Sequence, residues 1–242
     1  MQADDITGWY GKLPSLGDFA SRRLTPEFIE VWDGWLAAGL ADWRQRAAAT
    51  WLEDYLAGPS WRFVLMPGVL PGNGGAWAGV LMPSVDKVGR YFPLTLAQPL
   101  SALPATAAQG SALLDWLQRL DDLAVASLQD DWGVEQLEAG LHDLGPWMQE
   151  PPPPDALSSR LAATHATSET LELQSPAGVV ALLAQAARTQ LLQGLHGRAL
   201  WLRSDAQARP LLRVTVGLPR GIDFSALLTC DDTNITTPHP AT

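Results

Sequence analysis

The sequence contains a single cysteine, Cys230, and only two lysines, Lys12 and Lys87, among its 242 residues. A lone cysteine excludes an intrachain disulfide and a cluster of thiolate metal ligands, and it suits a reducing compartment. Two long stretches without charge, residues 63–85 and 91–114, are interrupted by prolines, so neither predicts a membrane-spanning helix. We therefore expect a soluble, cytoplasmic protein.

Basic residues are scarce, since 16 Lys and Arg stand against 26 Asp and Glu, and the formal net charge is −10. This deficit argues against binding of nucleic acid through a basic surface. Residues 101–175 carry 12 of the acidic residues and only two bases, Arg119 and Arg160. We interpret this stretch as an acidic helical region with a proline-rich connector at 151–154. It belongs to one predicted domain, 1–230, and a loose tail follows at 231–242.

Sequence motifs for common enzyme classes are missing. The glycine cluster at 72–75 lacks the Gly-Lys-Ser/Thr ending of a phosphate-binding loop and precedes a predicted strand, so we interpret it as a hairpin turn. No Gly-x-Ser-x-Gly nucleophile motif occurs. The four histidines are scattered without the spacing of metal ligands. We therefore expect no cofactor, no metal site and no catalytic residues.

A predicted helix follows Thr25, which can cap it, and Pro26, which suits the first helical position. Trp32, Trp35 and Trp43 recur along it at helical spacing and are predicted to be buried. Further helices are predicted at 47–56, 111–128 and 175–193. Asp115, Asp121 and Asp122 lie off the apolar stripe of the 111–128 helix and are expected to face water, as are residues 135–138.

Strands are predicted at 8–13, 61–66, 76–82, 92–98, 199–203 and 211–217. Trp61 and Trp77 lie within two of them and are further core candidates. The linkers between the strands in residues 61–98 are too short for crossover helices. This pattern predicts an α/β fold, a three-layer α/β/α sandwich around a mixed, largely antiparallel sheet.

Two segments combine charges with glycine, proline and aromatic residues, and they supply the candidate site residues. These candidates are Lys12, Asp18, Arg22, Ser84, Asp86 and Arg90. In one interpretation, ion pairs among Asp18, Arg22, Asp86 and Arg90 fix two loops to the sheet. In the other, the two loops meet at one end of the sheet and form a surface that recognises a partner protein.

The same segments carry a resemblance to a known family. The motifs are GWYGKLP at 8–14, GDF at 17–19, WDGWL at 32–36, WRF at 61–63 and the run from Trp77 to Pro93. In this order they closely resemble the TagF (ImpM) family, accessory proteins of the bacterial type VI secretion system. The resemblance is dense from residue 8 to about residue 100.

The resemblance implies a cytoplasmic, non-enzymatic regulator with an α/β/α sandwich fold. It implies repression of type VI secretion after translation, through docking onto other proteins. The implied partners are type VI secretion components and a forkhead-associated scaffold protein of the threonine-phosphorylation pathway. The resemblance transfers no catalytic residues to this chain.

Two alternatives from other classes stay open at this point. The first is a hydrolase or ligand-binding enzyme built on Asp18, Ser84, Asp86 and Arg90, which requires these side chains to converge in a water-accessible pocket. The second is a structural subunit of the secretion apparatus, which predicts stoichiometric co-purification with its other parts.

Overall fold

A computed structural model describes residues 6–72, 75–128, 132–147, 177–203 and 210–229. The strands are β1 Gly8–Gly11, β2 Ala20–Arg22, β3 Trp61–Leu65, β4 Ala76–Met82, β5 Leu94–Leu100, β6 Arg198–Arg203 and β7 Leu211–Val216. The helices are α1 Pro26–Arg46, α2 Trp51–Leu56, α3 Ala107–Ala126, α4 Val134–Leu144, α5 Ala177–Leu195 and α6 Ile222–Ser225. The predicted connector at 151–154, the predicted tail at 231–242 and Cys230 lie outside the described residues. Among the described helices, none combines the length and the hydropathy that a membrane span requires.

The strands form one seven-stranded sheet in the order β2-β1-β5-β4-β3-β6-β7. Every pairing in it is antiparallel. Strands β3, β4 and β5 are sequential neighbours at its centre, as the short linkers predicted. The predicted α/β fold with a largely antiparallel sheet is confirmed, and the described strands contain no parallel pair.

Helix α1 begins as its sequence predicts. The side chain of Thr25 accepts a hydrogen bond from the backbone N–H of Phe28, and Pro26 occupies the first turn, where a missing N–H costs nothing. The helix then buries one face over its whole length. That face consists of Phe28, Trp32, Trp35, Leu36, Gly39, Leu40 and Trp43.

Helices cover both faces of the sheet, because alternate side chains of each strand point to opposite sides. The face that we call the α1 face packs Trp61, Phe63 and Trp201 of the sheet against α1. The opposite face, which we call the α3 face, packs Val80 and Leu96 against α3 and α4. Each face has its own apolar core, so the architecture has three layers.

The acidic middle of the sequence contributes to the core of the α3 face. Leu117 and Leu120 of α3 and Leu141 of α4 are buried against the sheet. The expectation that Asp121 faces water is wrong, because its carboxylate is buried with Oδ2 3.9 Å from Nε of Arg62. Burial raises the pKa of Asp121. Asp121 follows Leu120 directly, and Arg62 of β3 reaches up to it from the sheet.

Three elements of the structure are not predicted by the sequence patterns. Strand β2 has three residues, and α6 has four, too few for periodicity to register. Helix α4 buries only Leu137 and Leu141, and its polar positions suggested a solvated stretch.

Candidate functional site

Two loops meet at one end of the sheet, and they contain most of the candidate residues. One follows β1 and leads to β2; the other, residues 83–93, connects β4 to β5. The backbone N–H of Lys87 in the second loop donates a hydrogen bond to the carbonyl of Leu16 in the first, at 3.3 Å. The second loop closes on itself through a bridge between Val85 and Tyr91. Lys12, Asp18, Ser84, Asp86 and Arg90 therefore share one region, and Arg22 lies outside it on β2.

A buried ion pair joins the two loops. Nζ of Lys12 lies 2.7 Å from Oδ2 of Asp86, and their side chains are 3% and 0% exposed. The same ammonium lies 4.2 Å from the centre of the Phe19 ring. A buried pair of this kind fixes geometry strongly, because removing either partner would leave a charge without compensation.

The Asp86 carboxylate is fully engaged by protein groups. Its Oδ1 accepts hydrogen bonds from the backbone N–H groups of Val88 and Arg90, and its Oδ2 accepts them from Lys12 and from Nε of Arg90. Burial alone would raise the pKa of Asp86, but these bonds outweigh burial and hold the pKa well below its usual range. The carboxylate is therefore negatively charged near neutral pH, where its contacts hold the second loop to Lys12.

Ser84 is equally committed to structure. Its hydroxyl donates to the carbonyl of Lys12 at 2.7 Å, and its backbone exchanges two hydrogen bonds of 2.9 Å with the hydroxyl of Tyr55. Ser84 is 4% exposed. Neither Ser84 nor Asp86 meets the requirement of the enzyme alternative, a water-accessible pocket. Within the described ranges, no group of three or more His, Cys, Asp or Glu side chains is placed to hold a metal ion.

Arg90 and Asp18 lie on the outer side of this region. Arg90 is half-exposed; its guanidinium donates to the carbonyl of Gly17 and to Asp86, and it lies 4.0 Å from Asp18, which is exposed. Phe19 is 45% exposed and Val88 is 63% exposed. The buried ion pair thus supports an outer rim of mixed charged and apolar side chains.

Arg22 is exposed on β2, and its guanidinium carbon lies 5.9 Å from the centre of the Trp9 ring. The neighbouring Arg23, which the sequence did not single out, makes the ion pair at this edge. Its Nη1 lies 2.6 Å from Oε2 of Glu138, whose Oε1 also accepts a hydrogen bond from Nε1 of Trp9. The expectation that residues 135–138 are solvated is therefore wrong for Glu138, and also for Leu137, which is fully buried.

We expect Glu138→Gln to make the melting temperature of the protein less dependent on pH in acid. Burial alone would raise the pKa of Glu138, but hydrogen bonds from Arg23 and Trp9 outweigh it and lower the pKa. Such a carboxylate stabilises the fold above its unfolded pKa of about 4.3, and this contribution disappears as the pH falls through the folded value. Glutamine can still accept from Trp9 but has no charge. The melting temperatures of variant and parent should differ more at about pH 6 than at about pH 3; an equal gap at both would contradict the expectation.

The five candidate core tryptophans are all buried, at 0–9% exposure. Three of them also place their indole N–H on a buried acceptor. Trp32 donates to Oγ1 of Thr95, Trp35 to the carbonyl of Pro219 and Trp61 to the carbonyl of Leu227. Trp43 packs near Tyr55, and Trp77 lies against Phe28.

Comparison with known proteins agrees with the motifs. The family model of the TagF N-terminal domain, type VI secretion system-associated, matches residues 8–144. The match continues beyond the motif-dense first hundred residues to the end of α4. The crystal structure of PA0076 from Pseudomonas aeruginosa PAO1 is similar at 34% sequence identity; the alignment covers 98% of this chain and 99% of that chain, with a TM-score of 0.65. A search of curated proteins gives no match.

Proposed function

The chain belongs to the TagF family of type VI secretion system-associated proteins and has an accessory role in that system; from this premise we propose that it is a cytoplasmic, non-enzymatic repressor. It acts after translation, by docking onto components of the secretion machinery. A forkhead-associated scaffold protein of the threonine-phosphorylation pathway is the proposed partner. The resemblance in the motifs supports this partner.

The observation that carries the docking proposal is the construction of the two loops. Asp18, Phe19, Arg22, Val88 and Arg90, which we call the loop surface, present exposed or half-exposed side chains of mixed character. Beneath most of them, the Lys12–Asp86 pair and the hydrogen bonds of Ser84 hold the two loops in position. A rigid surface with arginine and aromatic side chains suits protein recognition, because little conformational entropy is lost on binding.

Deletion of the gene tests the regulatory part of the proposal. We expect the deletion strain to secrete more type VI substrate than the parent, with unchanged amounts of the secretion proteins in the cell. Quantitative immunoblots of culture supernatant and cell fractions measure both. Unchanged secretion in the deletion strain would count decisively against the repressor role.

Substitutions on the loop surface test the docking part. We expect Arg90→Ala and Arg22→Ala each to weaken capture of the partner about tenfold, since arginine is enriched among residues that dominate interface energy. Arg90 is half-exposed and Arg22 is exposed, so the melting temperature should change little. Arg119→Ala removes an exposed arginine from α3 and is the matched control.

The outcomes separate the interpretations of this region. Loss of capture with Arg90→Ala at unchanged stability supports recognition. Retained capture with Arg90→Ala and Arg22→Ala together, and loss only in the unstable Asp86→Ala variant, would reduce the loops to a structural role. Stoichiometric co-purification with parts of the assembled apparatus would favour the structural-subunit alternative over a regulator.

A further inference from the structure

Strand β7 is the outer strand of the sheet at the edge opposite to β2. It has six residues, without lysine or proline, and it exposes Leu212, Val214 and Val216 at 63%, 46% and 79%. Strand β2, in contrast, has only three residues and carries the exposed Arg22. Proteins usually protect edge strands by shortness, charge or proline. The β2 edge has such protection, whereas the aliphatic side of β7 has none.

The backbone of β7 offers open hydrogen-bonding positions. The carbonyl of Arg198 accepts a hydrogen bond from the N–H of Met66, the residue that follows β3. Because backbone groups alternate in direction along a strand, those of Arg198, Leu200 and Leu202 point toward β3. The intervening β6 residues face β7 and bond Leu211, Arg213 and Thr215. The N–H and C=O groups of Leu212, Val214 and Val216 therefore point outward. No other strand in the described parts of the chain pairs with them.

The two sides of this edge differ in chemistry. Leu212, Val214 and Val216 form an exposed aliphatic row on the α3 side. A groove of about 1050 Å³ runs along β7 toward α1; Arg213 and Arg220 line it together with apolar residues, Val214 and Val216 among them, and one carboxylate, Asp223. The guanidinium carbons of Arg213 and Arg203 lie 5.8 Å and 5.4 Å from the Trp61 ring, on the α1 side. Strands β6 and β7 together carry three arginines and no acidic residue.

We propose that β7 docks an extended segment of a partner protein, which adds an eighth strand and alternates aliphatic with acidic residues. Its aliphatic side chains lie beside Leu212, Val214 and Val216, and its carboxylates face Arg213 and the groove. Pairing of main-chain groups supplies affinity, and the alternating side chains supply specificity. A second copy of this chain is a poor occupant, because an antiparallel pair of β7 strands would place Arg213 of each copy on the same side with no acidic residue in either strand. This inference deepens the proposed docking function and rests on it.

The amides of β7 give a direct test on the full chain. Without ligand, the N–H groups of Leu212, Val214 and Val216 should exchange with deuterium quickly, and those of Leu211, Arg213 and Thr215 slowly. A blocked peptide of sequence EVTVEVE should slow exchange at the first three positions and leave the other three unchanged. The matched peptide KVTVKVK should protect them at least about fivefold less, because its lysines would face arginine. Backbone-resolved NMR measures all six amides.

Two variants make the test specific. Val214→Pro removes an outward N–H without removing a bond to β6, so it should abolish peptide binding while β6 and β7 stay paired. Arg213→Glu should reverse the preference between the two peptides while its amide stays protected. Fluorescence anisotropy with labelled peptides measures the affinities, and those for the acidic peptide should fall with added salt.

The remaining outcomes would overturn the proposal. Slow exchange at Leu212, Val214 and Val216 in the free monomer would mean that the chain covers its own edge. Protection that rises with protein concentration, together with a dimer by light scattering, would assign the edge to a second copy. No protection at millimolar acidic peptide would exclude strand addition. If deletion still raises secretion in that last case, the regulatory function stands and only the β7 surface is wrong.

Discussion

Replacing Trp32 with alanine is expected to lower the free energy of unfolding by about 3–5 kcal/mol. Trp32 is fully buried at the centre of the α1 face, with ring centroids 4.6 Å from Trp35, 5.2 Å from Phe63 and 5.3 Å from Phe28. Truncation removes these contacts, opens a cavity that the surrounding rings cannot collapse into, and leaves Thr95 without its indole donor. Urea unfolding followed by circular dichroism measures the effect.

Two further variants separate the contributions of ring packing, hydrogen bonding and burial to this loss of stability. Trp32→Phe keeps most of the ring contacts but loses the hydrogen bond to Thr95, so it should cost about 1–3 kcal/mol. Trp51→Ala removes a tryptophan that is only partly buried, next to Tyr55 and Tyr91, and should cost less than Trp32→Ala. Equal losses for Trp32→Ala and Trp51→Ala would contradict the assignment of Trp32 to the core.

Replacing Lys12 with methionine is expected to lower the melting temperature by about 10 °C near neutral pH. Methionine fills a similar volume, but the buried Asp86 carboxylate loses the partner with the shortest contact to it. The pKa of Asp86 lies below its usual value in the folded protein, so its charge contributes stability above the unfolded pKa and ceases to do so as the pH falls. The deficit of Lys12→Met should therefore shrink in acid. Scanning calorimetry at several pH values measures it.

A double variant is the control for this second expectation. Asp86→Asn keeps an oxygen that can accept from Val88 and Arg90 but removes the negative charge, so Lys12→Met combined with Asp86→Asn should be more stable than Lys12→Met alone. Arg90→Met removes the half-exposed partner and should cost less than Lys12→Met. A Lys12→Met variant as stable as the parent would show that the pair does not hold the loops.

The parts of the fold that sequence patterns predict are those with strong local signals. The Thr25–Pro26 start of α1 is a local cap, and strand β4, predicted at 76–82, has those bounds in the structure. The antiparallel centre of the sheet follows from linkers too short to cross over. Elements whose existence depends on distant contacts could not be predicted. Helix α6 has four residues, and Phe224 within it is buried by packing against Gly39 of α1.

Some features of the candidate site could likewise be predicted from the sequence, and others could not. Composition brought Lys12 and Asp86 into one set of residues although they are 74 positions apart. Sequence alone could not tell which charges are buried, because that depends on how two loops fold over each other. The pairing of Glu138 with Arg23 could not be predicted for a similar reason: 115 residues separate them, and an acidic helix usually faces water. The sequence gives the sign of each charge, but only the folded structure determines which opposite charge lies next to it.

The packing of the α1 face has a consequence for synthesis on the ribosome. Trp35 and Trp61 give their indole N–H groups to the carbonyls of Pro219 and Leu227, and β3 pairs with β6 on the side away from β4. The matched family region ends at residue 144, before these partners have been made. A nascent chain of that length contains Trp35 and Trp61 but lacks the residues that accept their indole hydrogen bonds. The α1 layer can close only after residue 227 has left the exit tunnel, so we expect the unfinished chain to depend on chaperones that bind exposed aromatic surface.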